Sequence, residues 1–145
     1  MMGFTLETWR HRAVCPEREA ERCRQGVALF DFSFMSVVRV SGAGSAALIS
    51  DYVQRDISKM SVGGIRYCVH ADPEHRVRSD LTVWKVDDQV FEVMSGEAGD
   101  VKSLAAQSTC RARVEDLSAC TAIFAVQGPL SLARILPACD ERSVE

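Results

Sequence analysis

The chain has 145 residues, 47% of them hydrophobic and 26% charged, and carries a net charge of −3. That is enough for one domain, spanning 1–145, with a real core, and too little for two. Its arginines are scattered among acids with no basic stripe, which argues against a nucleic-acid partner; no run approaches the roughly 20 apolar residues of a membrane span, and the opening MMGFTLETWRHRAV lacks a signal-peptide core, so the expectation is a cytoplasmic protein with no membrane contact.

Residues 1–16 are mixed in character and read as irregular, with Pro16 suited to a first helical turn. Ala20, Cys23, Val27 and Phe30 then recur at three- and four-residue steps among charged residues, predicting an amphipathic helix that ends near Leu29. Phe34 to Val40 is β-branched and aromatic and predicts a strand. The break Ser41-Gly42-Ala43-Gly44-Ser45 leads into a second helix, with Ala46, Ile49, Tyr52 and Val53 on one face. Beyond the double glycine at 63–64, strands are predicted at Arg66–Ala71, Arg76–Val86 and Val90–Ser95, joined by turns at 72–75 and 87–88. A helix around Asp100–Gln107 follows, then strands at Ala112–Leu117 and Thr121–Gln127 and a helix opening at Pro129. Helices that do not strictly alternate with strands, and short hairpins, predict an α+β fold with a mainly antiparallel sheet.

Alternation along Arg76–Trp84 places Val77, Ser79, Leu81 and Val83 on one face and Arg78, Asp80, Thr82 and Trp84 on the other. Aspartate is a poor strand former. Beside Trp84, Asp80 is either a ligand-binding carboxylate that stabilises a cation or relays a proton, or a solvated charge paired with Arg78 or Arg66. Tyr67 offers a flat ring and a hydroxyl and is within hairpin reach of Asp80; the bland alternative is an ordinary core tyrosine. Met35 is either a pocket wall or core. The six cysteines include no C-x-x-C pair and are expected to be reduced thiols. His70 and His75 flank a turn, and a strand end and a loop do not aim them at one ion, so no metal site is expected. Gly42-Ala43-Gly44 lacks the third glycine of a dinucleotide fingerprint.

Several of these segments together resemble a known family. Glu19-Ala20-Glu21 running into Val27-Ala28-Leu29-Phe30-Asp31-Phe32-Ser33-Phe34-Met35 is similar to the "AGLFDVSHMG" opening of glycine-cleavage T-proteins, and closer to the "REAE…VALFDMS" form in the folate domains of sarcosine and dimethylglycine dehydrogenases. Asp56-Ile57-Ser58-Lys59 resembles "NDVSK", and Val126-Gln127-Gly128-Pro129 resembles "LQGP". Tyr67 and Asp80 stand thirteen residues apart, as do the tyrosine and second aspartate of the T-protein pattern, and Ser79-Asp80-Leu81-Thr82-Val83 matches the "SDLTV" variant of the dehydrogenase branch. The resemblance runs from about residue 17 to 137 and covers the N-terminal portion of such a module.

It implies a tetrahydrofolate-binding, aminomethyltransferase-like protein that collects a one-carbon unit as 5,10-methylenetetrahydrofolate. The family's essential carboxylate falls on Asp80 and its pocket tyrosine on Tyr67. A pterin-pocket methionine falls on Met35, and Ser95 stands where T-proteins often carry a folate-contacting asparagine. The implied partners are a lipoyl carrier protein, a flavin dehydrogenase subunit or a chain supplying the second half. His75-Arg76 replaces the double glycine that the family carries before its aspartates. That departure motivates an alternative, a non-catalytic folate-domain scaffold or regulatory subunit.

Overall fold

The structure, a computed structural model, describes residues 15–138. Apart from residues 15 and 16, the stretch 1–16 that the sequence marks as irregular lies outside them. In chain order the elements are α1 (Pro16–Gln25), β1 (Ala28–Asp31), β2 (Ser36–Ser41), α2 (Ser45–Tyr52), β3 (Ile65–Ala71), β4 (Val77–Asp87), β5 (Val90–Ser95), α3 (Gly99–Ala105), β6 (Arg113–Asp116), β7 (Phe124–Gln127) and α4 (Ser131–Ile135), with 3-10 turns at Ser118–Cys120 and Leu136–Ala138. Every strand pairing among the described residues is antiparallel, and the predicted α+β class is the observed one.

The first predicted helix is too long. It ends at Gln25, where the Gly26 N–H bonds the Arg22 carbonyl, and residues 28–31 form β1. Val27 and Phe30 fit helical spacing by coincidence; the run from Val27 to Phe32 holds one β-branched residue and two aromatic ones, and pairing with β7 decides its state. At the far end, the strand expected from Thr121 begins only at Phe124 and the helix opens at Ser131.

The chain divides into two compact units, one of residues 1–31 and 124–145, the other of 32–123. The larger unit is a five-stranded sheet in the order β3-β4-β5-β2-β6. One face of it is buried through Cys68, Leu81, Val83, Phe91, Val93, Val38 and Val40, against Ile49, Tyr52 and Val53 and against Leu104 of α3. Gly42 has φ +110, and a Cβ there would meet the Arg111 carbonyl oxygen at 2.6 Å. The break before α2 is therefore a backbone crossing, in which the Gly44 N–H bonds that same carbonyl.

The β3–β4 hairpin tip is closed by Asp72, whose carboxylate accepts the Glu74 and Arg76 amides. His75 takes a left-handed φ of 61. His75→Gly should therefore raise stability by about 0.5–1 kcal/mol, relief of the left-handed cost less the added chain entropy, read as a higher urea midpoint at unchanged slope.

Buried polar chemistry on the core side centres on Asp100, which is 4% exposed. The Tyr52 hydroxyl donates to one of its oxygens and the Ser95 hydroxyl to the other. The His70 ring stacks on Tyr52 at 4.0 Å, with Nδ1 2.9 Å from the Tyr52 carbonyl. Burial, then the bond to Asp100, pushes the Tyr52 phenol well above its usual value of 10. A raised folded pKa keeps its full stabilisation below the unfolded value and loses it as pH climbs toward the folded one. The unfolding free energy should therefore fall as pH rises beyond 10, and Tyr52→Phe should flatten that alkaline limb in a urea titration series.

The smaller unit pairs β1 with β7 in register Ala28↔Gln127 to Asp31↔Phe124. Its chain path depends on Gly128, at φ +121, where a Cβ would fall 2.4 Å from the Gly26 carbonyl oxygen and 2.5 Å from that of Cys23. The Leu130 N–H bonds the Gly26 carbonyl at 3.0 Å.

Candidate functional site

Asp80 lies mid-strand in β4 opposite Val69 of β3, and Tyr67 lies opposite Thr82. Directly paired residues share a face, so Ile65, Tyr67 and Val69 stand with Asp80, Thr82 and Trp84. Pairing of β4 with β5 adds Glu92 and Met94. This is the sheet face turned away from the core: Ser79, Leu81 and Val83 are buried, and Asp80 is exposed.

On that face the Tyr67 hydroxyl donates to Asp80 Oδ2 at 2.8 Å. The hydrogen bond to Asp80, then desolvation, raises the Tyr67 phenol above its ordinary value, so it stays a donor at neutral pH. The bland reading of Asp80, a partner for Arg78 or Arg66, is not what forms. Arg78 reaches Asp72 at 3.9 Å, and Arg66 donates to the Ile65 carbonyl. Among the described residues no ion pair reaches Asp80, which leaves an uncompensated carboxylate oriented by a phenol. Trp84 Nε1–H donates to Thr82 Oγ1 at 2.9 Å, tying the indole down on the same surface. Tyr67 is 63% and Trp84 36% exposed, so both rings present area to solvent. Farther across the face, Arg39 and Glu92 form a 2.6 Å ion pair.

Met35 sits half-buried just before β2, its N–H bonding the Phe32 carbonyl. The β2–β5 ladder begins at Ser36↔Ser95, one residue after Met35. Ser95 does not join the Asp80 face. It pairs with Leu81, is 2% exposed, and spends its hydroxyl on Asp100 and the Glu97 amide. The expectation that Ser95 contacts a ligand beside Asp80 is corrected: it faces the opposite side of the sheet. The residue missed was Met94, which lies across from Thr82. Alternation through Val90–Ser95, with Phe91 and Val93 as core, carries that signal, since it sends Glu92 and Met94 to one side and Ser95 to the other.

Neither of two clefts on this unit contains Tyr67 or Asp80. One, of about 620 Å³, is lined by His70, Asp72, Arg76, Arg78, Glu97 and Asp100 among others; the second, of about 710 Å³, runs along α2. The Tyr67–Asp80 pair stands on an open wall.

Residues 4–145 match the family described as GCVT N-terminal domain. The chain belongs to this family. Among relatives of the GCVT N-terminal domain family, the aminomethyltransferase of Parafrankia sp. (strain EAN1pec) is 33% identical over 121 residues, 81% of this chain and 33% of that protein. That of Bacillus mycoides (strain KBAB4) is 30% identical over 116 residues, 78% of this chain and 32% of its own. The chain thus spans about a third of the length of the relatives it matches. In three dimensions it resembles the glycine cleavage system aminomethyltransferase T of Bartonella henselae, with a TM-score of 0.77 at 23% identity, covering 83% of this chain and 34% of that one. A chain of the heterotetrameric sarcosine oxidase of Corynebacterium sp. U-96 gives 0.55 at 16% identity, covering 83% and 60%. Both share the GCVT N-terminal fold.

Proposed function

We propose that residues 1–145 form the N-terminal module of a folate-dependent aminomethyltransferase-like protein and that the Asp80 face is its wall for tetrahydrofolate. The single observation carrying this is the 2.8 Å Tyr67–Asp80 hydrogen bond, which presents a carboxylate with no counter-ion on an open sheet face. A pterin is flat and rimmed with N–H groups. The wall fits that chemistry: exposed ring area on Tyr67 and Trp84, a thioether at Met94 across from Thr82, with Met35 proposed as a second one, and a fixed acceptor at Asp80.

Tetrahydrofolate, when bound, supplies the nitrogens that accept the one-carbon unit. The protein's contribution is positioning and charge. Tyr67 holds one Asp80 oxygen and leaves the other for a ligand N–H, while the uncompensated charge favours any cation that develops within a few ångströms. Partners in this reading are a lipoyl carrier protein or a flavin dehydrogenase subunit as donor, and a chain supplying the second half; the heterotetrameric relative supports a multi-subunit setting. A cytoplasmic location is part of this proposal; among the described residues no helix is long and apolar enough to cross a membrane.

Calorimetric titration with tetrahydrofolate, with the chain alone and with candidate partner subunits, is the test. Saturable binding is expected, and its absence under every combination sinks the proposal. The hairpin tip supports a second reading, a scaffold or regulatory subunit, because His75-Arg76 stands there and Arg76 is held by Asp72 and Glu74. On that reading Asp80→Ala leaves cellular function intact.

A further inference from the structure

The end of α2 holds β3 at two places. Tyr52, its last residue, carries the stacked His70 ring. Three residues further on, Arg55 Nη1 donates to the Tyr67 carbonyl at 3.0 Å. The loop that presents Arg55 is itself fixed. Gln54 takes a left-handed φ of 50, the Arg55 N–H bonds the Ser50 carbonyl, and the Ile57 N–H bonds Ser50 Oγ. Ile57 is buried in the core, so the root of the arginine has a defined place.

The carbonyl that Arg55 reaches is one the ladder does not use. Among the described residues β3 is the outermost strand of the five-stranded sheet. Gly64 accepts the Lys85 amide, and in an antiparallel ladder such bonded pairs alternate with pairs whose main-chain groups turn outward. Counting on through Ile65↔Trp84 to Tyr67↔Thr82 puts Tyr67 in an outward pair. Its carbonyl therefore points away from β4, to where Arg55 stands. Tyr67 is also the residue whose hydroxyl orients Asp80. One residue thus takes a bond on its main chain and gives one from its side chain.

We infer that Arg55 is a positioning residue for the Tyr67–Asp80 pair, acting through the Tyr67 main chain and not as a contact to a ligand. Its guanidinium is not the counter-ion of Asp80, since no ion pair among the described residues reaches that carboxylate. Holding the carbonyl fixes the root of the Tyr67 side chain, and the root sets how constantly the phenol meets Oδ2. The consequence for folate rests on the function proposed above; the consequence for the phenol does not.

Titration of the Tyr67 phenol tests it, followed by magnetic resonance in a chain labelled at its tyrosine ring carbons. The chain has two tyrosines, and Tyr67→Phe assigns their signals. The bond to Asp80 holds the Tyr67 phenol above its ordinary value. Arg55 is exposed, and Arg55→Met keeps the length of its side chain while removing the donors. The Tyr67 titration should then fall toward the ordinary value. Loss of a nearby positive charge alone would push it the other way, because a cation favours the phenolate. Tetrahydrofolate affinity should fall by about 2- to 5-fold, less than for loss of the hydroxyl itself, since a loosened donor still bonds part of the time. In a Tyr67→Phe background, Arg55→Met should change affinity no further. Arg66→Met is the control, because Arg66 donates only to its own neighbour, the Ile65 carbonyl. A Tyr67 titration that stays or rises in Arg55→Met, or falls as far in Arg66→Met, overturns the inference, as do affinity losses that add across the cycle. If the parent protein binds no tetrahydrofolate with any partner, the functional proposal falls and the titration alone decides the inference.

Discussion

Asp80→Asn is expected to weaken tetrahydrofolate binding by about 10- to 100-fold, the range for losing one charge-assisted hydrogen bond at 1.5–3 kcal/mol. The substitution keeps the shape of the side chain and an oxygen able to accept from the Tyr67 hydroxyl, so the loss reports charge. In a complex competent for one-carbon transfer, the rate should fall further, about 10²- to 10³-fold, because the missing charge faces the place where a cation develops. Tyr67→Phe is the graded companion. It leaves the carboxylate and removes only the donor that orients it, so a loss of about 3- to 10-fold is expected, smaller than for Asp80→Asn because no ligand contact is removed. Both side chains are exposed, so neither change should move the melting temperature by more than about 2 °C. Calorimetry and thermal unfolding on the same three proteins separate the outcomes. Equal affinity in all three would remove Asp80 from the site. A fall in affinity that tracks a fall in melting temperature would make it structural.

Much of this arrangement is legible in the residues themselves. Alternation from Val77 to Trp84 is strict enough that the burial of Ser79, Leu81 and Val83 and the exposure of Asp80 follow from it. The turn chemistry of Asp72-Pro73-Glu74-His75 fixes β3 against β4 closely enough to bring Tyr67 to Asp80. Ser95 shows where resemblance overrides pattern. The position is equivalent to a ligand contact in T-proteins, but alternation with the buried Phe91 and Val93 assigns it to the core side. The end of the first helix was hidden for another reason. Positions 20, 23, 27 and 30 satisfy a helical period, and only pairing with β7, about a hundred residues later in the chain, reveals that the last two belong to a strand and its approach. Nonlocal pairing is the information that a local window lacks.

Asp100→Ala is expected to be the most destabilising single change in the five-stranded unit outside its apolar core. The carboxylate is buried between β5 and α2, with the Tyr52 hydroxyl on one oxygen and the Ser95 hydroxyl on the other. Truncation leaves two buried donors without partners, each costing about 1–3 kcal/mol, and so about 2–6 kcal/mol together. The damage does not stay local. Ser95 Oγ also accepts the Glu97 amide at the entry to α3, and the Tyr52 ring carries the stacked His70 of β3, so one carboxylate ties α2, β3, β5 and α3. The double variant Ser95→Ala with Asp100→Ala should recover part of the loss, because it removes one of the stranded donors along with its acceptor. Urea unfolding of the single and double variants decides this. If the costs of Ser95→Ala and Asp100→Ala simply add, the three groups act separately and the network account fails. Less-than-additive loss is the expected signature, and it should come with unchanged tetrahydrofolate affinity in whatever fraction remains folded, since Asp100 and Ser95 lie behind the sheet from Asp80.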